Sequence, residues 1–170
     1  MGNVNTNTIV VQVHPLEESY NAAIRQRVVD GLRRRPGDSG ADPLVFRLAQ
    51  GETPSPEQLA SCRQLVLVYP TWGGGLPSLL LEWVHQQLDA PEALASVSRL
   101  IVVTTHGSSL FINRVQAQWG LRYLRSLVLP VCARGCRLSV LPLYKVDRLG
   151  PEQLGTFLET VERSMAKLAP

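Results

Sequence analysis

The chain has 170 residues, of which 45% are hydrophobic and 18% charged, and its formal net charge is +3. These values are ordinary for a globular protein and allow a sizeable core, so we expect a single domain over residues 1–170. No apolar stretch is long enough to span a bilayer and no signal-peptide pattern opens the chain, which predicts a cytoplasmic protein without a stable membrane anchor.

The residue types also disfavour nucleic acid and metal as partners. Only 6% of residues are aromatic, and no recognition-helix or RNA-stacking motif is present. The three cysteines, Cys62, Cys132 and Cys136, suggest neither a disulfide framework nor a zinc site, so we expect reduced thiols and no metal. The stretch from Ala93 to Val146 has basic residues but no acidic ones, which indicates either an anion-attracting surface or a solvated basic face.

Short apolar runs bounded by turn residues predict five strands buried on both faces. In chain order they cover residues 8–14, 43–48, 64–69, 99–105 and 137–143. The intervening amphipathic stretches predict helices over residues 19–35, 56–62, 77–88, 111–127 and 151–168. Ser19 is expected to cap the first helix by accepting a backbone N–H.

This alternation predicts an α/β fold, in which a parallel sheet is covered by helices on both faces. Right-handed crossovers and the number of strands favour the order 2-1-3-4-5. Strands one and three are then neighbours, and the turns that follow them lie side by side. Open α/β sheets bind their ligands at such a place.

The turn after strand one has the features of an anion site. His14 ends the strand, and Ser19, Tyr20 and Asn21 open the following helix, whose free N–H groups and dipole favour a phosphate. His14 can add a donor or a positive charge. The alternative is an ordinary turn followed by a helix cap, because no Gly-rich nucleotide motif is present.

The turn after strand three suits a flat ring. Pro70 and Pro77 fix its ends, and the glycines at 73–75 allow a ligand to approach the backbone closely. Trp72 offers a flat surface, and the backbone N–H groups of residues 71–74 can point at ring heteroatoms. The alternative is a loop in which Trp72 fills the core. The ring-binding residues predicted here are Pro70, Thr71, Trp72, Gly73 and Gly74.

A third polar turn follows strand four on the same edge. Thr105 and Gly107 are expected to line the other side of the ring. His106 is predicted either to donate to a substrate oxygen, as the one candidate catalytic residue, or to be an exposed loop histidine.

The three turns, in this order and spacing, resemble those of the flavodoxin-like NAD(P)H:quinone oxidoreductases. The first family turn, His-Pro-x-x-x-Ser-aromatic-Asn, is matched in full by residues 14–21, and the Thr-x-Gly after strand four by residues 105–107. In the second turn Tyr69, Pro70, Trp72 and Pro77 match. The second family tryptophan is Gly73 here, and the Lys and Asp-Arg that usually follow are replaced by Leu81, His85 and Gln86.

The resemblance implies a flavodoxin-like three-layer sandwich that binds FMN, with FAD as the alternative cofactor. It implies hydride transfer from NAD(P)H through the flavin to a quinone-like or other small aromatic acceptor, in a homodimer. The altered second turn leaves two alternatives: a flavodoxin-like electron carrier, or a non-catalytic regulatory relative with a degenerate flavin pocket. The basic composition disfavours a carrier, since carriers are usually acidic.

Overall fold

The computed structural model describes residues 7–35, 42–72, 74–107 and 119–168. Its centre is a five-stranded, fully parallel sheet in the order β2-β1-β3-β4-β5, which confirms the predicted topology. The strands are β1 (Thr8–Gln12), β2 (Leu44–Arg47), β3 (Gln64–Pro70), β4 (Arg99–His106) and β5 (Arg137–Tyr144).

Five α-helices lie within the described ranges: α1 (Tyr20–Arg33), α2 (Pro56–Ser61), α3 (Ser78–Asp89), α4 (Trp119–Tyr123) and α5 (Pro151–Ala166). A π-helical turn, Leu124–Val128, continues α4. The predicted fourth helix began at residue 111, and residues 111–118 lie outside the described ranges. Within those ranges, no helix is both long and apolar enough to cross a bilayer.

The central strands separate two apolar layers, because alternate side chains point to opposite faces. On one face, Val10 and Val103 pack with Ile24 of α1 and Met165 of α5. On the other, strand residues such as Val102 pack with residues of α2, α3 and α4. This double coverage explains why the strands β1, β3 and β4 are continuous apolar runs.

Helices α1 and α5 pack closely on one face of the sheet. Gly31 lies against the backbone of Glu162, and a Cβ added to Gly31 would be 2.7 Å from the Cβ of Met165. The buried carboxylate of Glu162 joins the helices by ion pairs to Arg27, at 2.7 Å, and to Arg34. A small residue at position 31 therefore lets the two backbones approach.

Strand ends differ from the prediction at the edge where the turns lie. β1 ends at Gln12, although Val13 N still donates to Val68 O at 2.9 Å. β4 continues through His106 because Thr105 and His106 remain in register with Leu143 and Tyr144 of β5. The polar Thr-Thr-His segment is thus strand, and the third turn begins at Gly107.

The opposite edge carries part of the basic stretch and the cysteines. Arg99 and Arg137 are the first residues of β4 and β5, so they lie at the amino-terminal edge of the sheet, away from the three turns. They therefore do not form an anion-attracting surface at that site. Cys62 and Cys132 are buried free thiols, and burial raises the pKa of both to about 12, which keeps them protonated.

Candidate functional site

The turns after β1, β3 and β4 meet at the carboxyl edge of the sheet. Thr71 N donates to Thr105 O at 2.8 Å, which joins the second turn to the end of β4. Asn21 Nδ2 donates to Thr105 Oγ1 at 3.4 Å, which joins the start of α1 to the same residue. Asn21 and Thr105 are more than 80 positions apart in sequence but are neighbours in the fold, as the predicted strand order requires.

The first turn presents the amino-terminal end of a capped helix. Ser19 Oγ accepts from Ala22 N at 3.1 Å, which confirms its predicted capping role. Ala22 N and Ala23 N also donate to Ser19 O, so the N–H groups of Tyr20 and Asn21, together with the helix dipole, are the features that favour an anion here. His14 lies beside this turn, where its Nδ1 is 3.1 Å from Leu16 N and 3.2 Å from Leu16 O.

Tyr20 differs in orientation from the expectation. Its hydroxyl donates to Leu154 O of α5 at 2.8 Å, and burial raises the pKa of this phenol to about 12. The side chain thus anchors α1 to α5. The contribution left to Tyr20 at the predicted anion site is its backbone N–H.

Asn21 is the most informative side chain at this edge. It is 5% exposed, and none of the described residues donates to its Oδ1. Turning the amide through 180° lets the Thr105 hydroxyl donate to Oδ1 and places the Nδ2 donor group at the position that has no partner. A buried amide without a full set of partners is costly, and an anion at the α1 terminus would supply an acceptor for it.

The second turn is tight and open to solvent. Trp72 and Gly75 form an isolated antiparallel bridge, with Gly75 N donating to Trp72 O at 3.1 Å. Gly74 has φ of +77°, a conformation that disfavours other residues. Trp72 is 58% exposed, which excludes the alternative that it fills the core. Gly73, also predicted to bind the ring, lies outside the described residues.

His106 of β4 contacts Thr71 at the start of the second turn. It is 3% exposed, so the alternative of an exposed loop histidine is wrong. Its Nδ1 lies 2.8 Å from Thr71 Oγ1, and its ring stacks on Tyr144 with centroids 4.7 Å apart. These contacts fix Thr71 and hence the start of the second turn. A direct contact between His106 and a substrate stays a prediction.

Two residues near the third turn escaped sequence reasoning. Tyr144 stacks on His106, and the Asp147 carboxylate stands so close to Gly107 that a Cβ there would be 2.6 Å from Oδ2. Lys145 turns the chain between them with φ of +58°. Tyr144 ends β5 on the same edge as the other turns, and extending the register of β4 by one pair would have found it.

The comparisons with known proteins give the fold its name. No family model matches the chain, and no curated protein matches it in sequence. Solved structures do match. Smu.1420 from Streptococcus mutans superposes with a TM-score of 0.76 at 14% identity, over 95% of this chain and 100% of that one. The fold is flavodoxin-like.

Two further structures of this fold carry functional names. An NAD(P)H:quinone oxidoreductase from Methanothermobacter marburgensis has a TM-score of 0.70 at 15% identity, over 96% of both chains. An FMN-dependent NADH-azoreductase from Bacillus anthracis, solved with FMN, has a TM-score of 0.73 at 13% identity, over 96% of this chain and 99% of that one. At such identities the likeness establishes the fold and nothing finer.

Proposed function

We propose that this protein is a flavin-dependent NAD(P)H oxidoreductase that uses FMN to reduce a quinone-like or other small aromatic acceptor. The observation that carries the proposal is the buried Asn21 amide at the α1 terminus, which contacts the Thr105 hydroxyl and, once turned so that this hydroxyl donates to Oδ1, has N–H groups that need an acceptor. The FMN-bound azoreductase and the quinone oxidoreductase of the same fold support it.

The chain's own residues fit the two ends of FMN. The phosphate would be held by His14, Ser19 and Asn21 with the N–H groups at the start of α1, including that of Tyr20. The ring would rest on the backbone of Pro70, Thr71, Trp72, Gly73 and Gly74, with Thr105, His106 and Gly107 on its other side.

The bound flavin would supply the two-electron chemistry, and the protein would hold and polarise it. The N–H groups of residues 72–74 would donate to developing negative charge on the ring, whereas the predicted Thr71 N–H already donates to Thr105 O. The Thr71–His106 hydrogen bond and the His106–Tyr144 stack keep that turn in place before any ligand arrives. Such preorganisation reduces the cost of binding.

The proposal includes a cytoplasmic homodimer, in which each subunit is a single flavodoxin-like domain over residues 1–170. Large apolar side chains are exposed beside the second turn and on the helices that follow it. Covering them in a dimer would remove apolar surface from water near the ring site. These side chains are Trp72, Leu79 and Trp119.

The test is steady-state turnover by the protein reconstituted with FMN. We expect the protein to consume NADH or NADPH continuously when a simple benzoquinone is present, at a rate well above that of free FMN. Binding of FMN without turnover would favour the electron carrier over the reductase. Failure to bind flavin at all would favour a relative with a degenerate pocket.

A further inference from the structure

Trp119 of α4 occupies the space beside the second turn that Gly75 leaves open. A Cβ added to Gly75 would overlap the Cζ2 and Cε2 atoms of the Trp119 indole. The next residue, Gly120, also packs on this turn, because a Cβ there would be 3.1 Å from Leu76 N and 3.2 Å from Gly75 C. Two glycines therefore seat one tryptophan against the turn.

The seated indole is not a core residue. Trp119 is 40% exposed, whereas its neighbour Leu121 is buried. One side of the indole lies against Gly75, which forms a bridge with Trp72, itself 58% exposed. An aromatic surface of this kind, immobilised on a rigid turn, is suited to stacking on a flat heteroaromatic ring.

In the sequence of the second turn, residues 70–77, Trp72 alone has an aromatic side chain. The three positions that follow Trp72 are glycines, which have no side chain to offer. The Trp72–Gly75 bridge and the positive φ of Gly74 fix the turn in the shape that receives the indole. The second turn thus has three consecutive glycines, and Trp119 of α4 supplies an aromatic side chain that packs against it.

We infer that Trp119 forms an aromatic wall of the ring site. Although it belongs to α4, it replaces the side chain that the glycines of the second turn lack. The inference rests on the proposed function, since it names a ring-binding residue of the same site. Trp119 would stack on the flavin ring. Its replacement should therefore weaken the binding of FMN and of riboflavin alike and leave the contacts to the phosphate unchanged.

Titration of the apoprotein with FMN and with riboflavin tests this inference. We expect Trp119→Ala to weaken both ligands by roughly 10-fold or more, a typical loss for a stacked aromatic, and to relieve quenching of flavin fluorescence. Trp119→Phe should retain both properties in large part. The control Leu127→Ala removes an exposed apolar side chain close to α4 and should change neither affinity.

A double-mutant cycle separates stacking from a general structural effect. Gly75→Ala should push the indole aside and weaken flavin binding by a similar factor, but it should cost little when Trp119 is already alanine. If the wild-type protein binds flavin and Trp119→Ala binds it equally, the inference fails and the proposed function stands. A changed oligomeric state with unchanged flavin affinity would likewise overturn it in favour of a subunit contact. If the wild type binds no flavin, the proposed function fails as well.

Discussion

Replacing Asn21 by Asp is expected to lower the affinity for FMN by at least about 100-fold. The change is isosteric, and the Thr105 hydroxyl can donate to the new carboxylate, so the local fold should persist. A unit charge about 4 Å from the phosphate costs on the order of 4 kcal/mol at an effective dielectric constant near 20, and each 1.4 kcal/mol is tenfold in affinity.

Riboflavin and a second charge variant provide the controls for Asn21→Asp. Riboflavin has no phosphate, so its affinity should change little. Gln26→Glu adds the same charge at an exposed position of α1 and should leave FMN binding nearly unchanged. Titrations that show equal losses for FMN and riboflavin, or no loss for FMN, would place the phosphate elsewhere.

Replacing Gly31 by Ala is expected to lower the free energy of unfolding by about 1–3 kcal/mol, the usual cost of overpacking. The new methyl group would overlap the Glu162 backbone, which cannot move aside as a flexible side chain can. This cost opposes the gain in helix propensity, which is about 1 kcal/mol for Gly to Ala. Urea denaturation measures the balance.

Gly155 in α5 is the matched control for Gly31. It also lies inside a helix, but no atom would lie within 4 Å of an added Cβ. Gly155→Ala should therefore stabilise the protein by up to about 1 kcal/mol through helix propensity alone. If both substitutions raise the free energy of unfolding, α1 and α5 are not in close contact at Gly31.

The strand order was predictable because its signals are local. Each of the runs Ile9–Val13 and Leu65–Tyr69 is apolar and short, and the helical stretches between them leave few topologies. Since parallel strands end at one edge, the meeting of the start of α1 with Thr105 followed from that order. The cap at Ser19 followed from its position before the periodic helix.

Other features depend on packing between elements that sequence does not bring together. Tyr20 points its hydroxyl at Leu154 because α5 lies against α1. His106 belongs to a strand because β5 provides a partner for it, although its polar neighbours suggested a loop. Trp119 reaches Gly75 only through the return of α4 to the second turn.

Backbone amide chemical shifts recorded as FMN is added show directly whether the three turns bind it. We expect the largest shifts at the start of α1, in the second turn and at Thr105–Gly107, with only small shifts at Arg99 and Arg137 on the opposite edge. Shifts confined to that opposite edge, or none at saturating FMN, would contradict it.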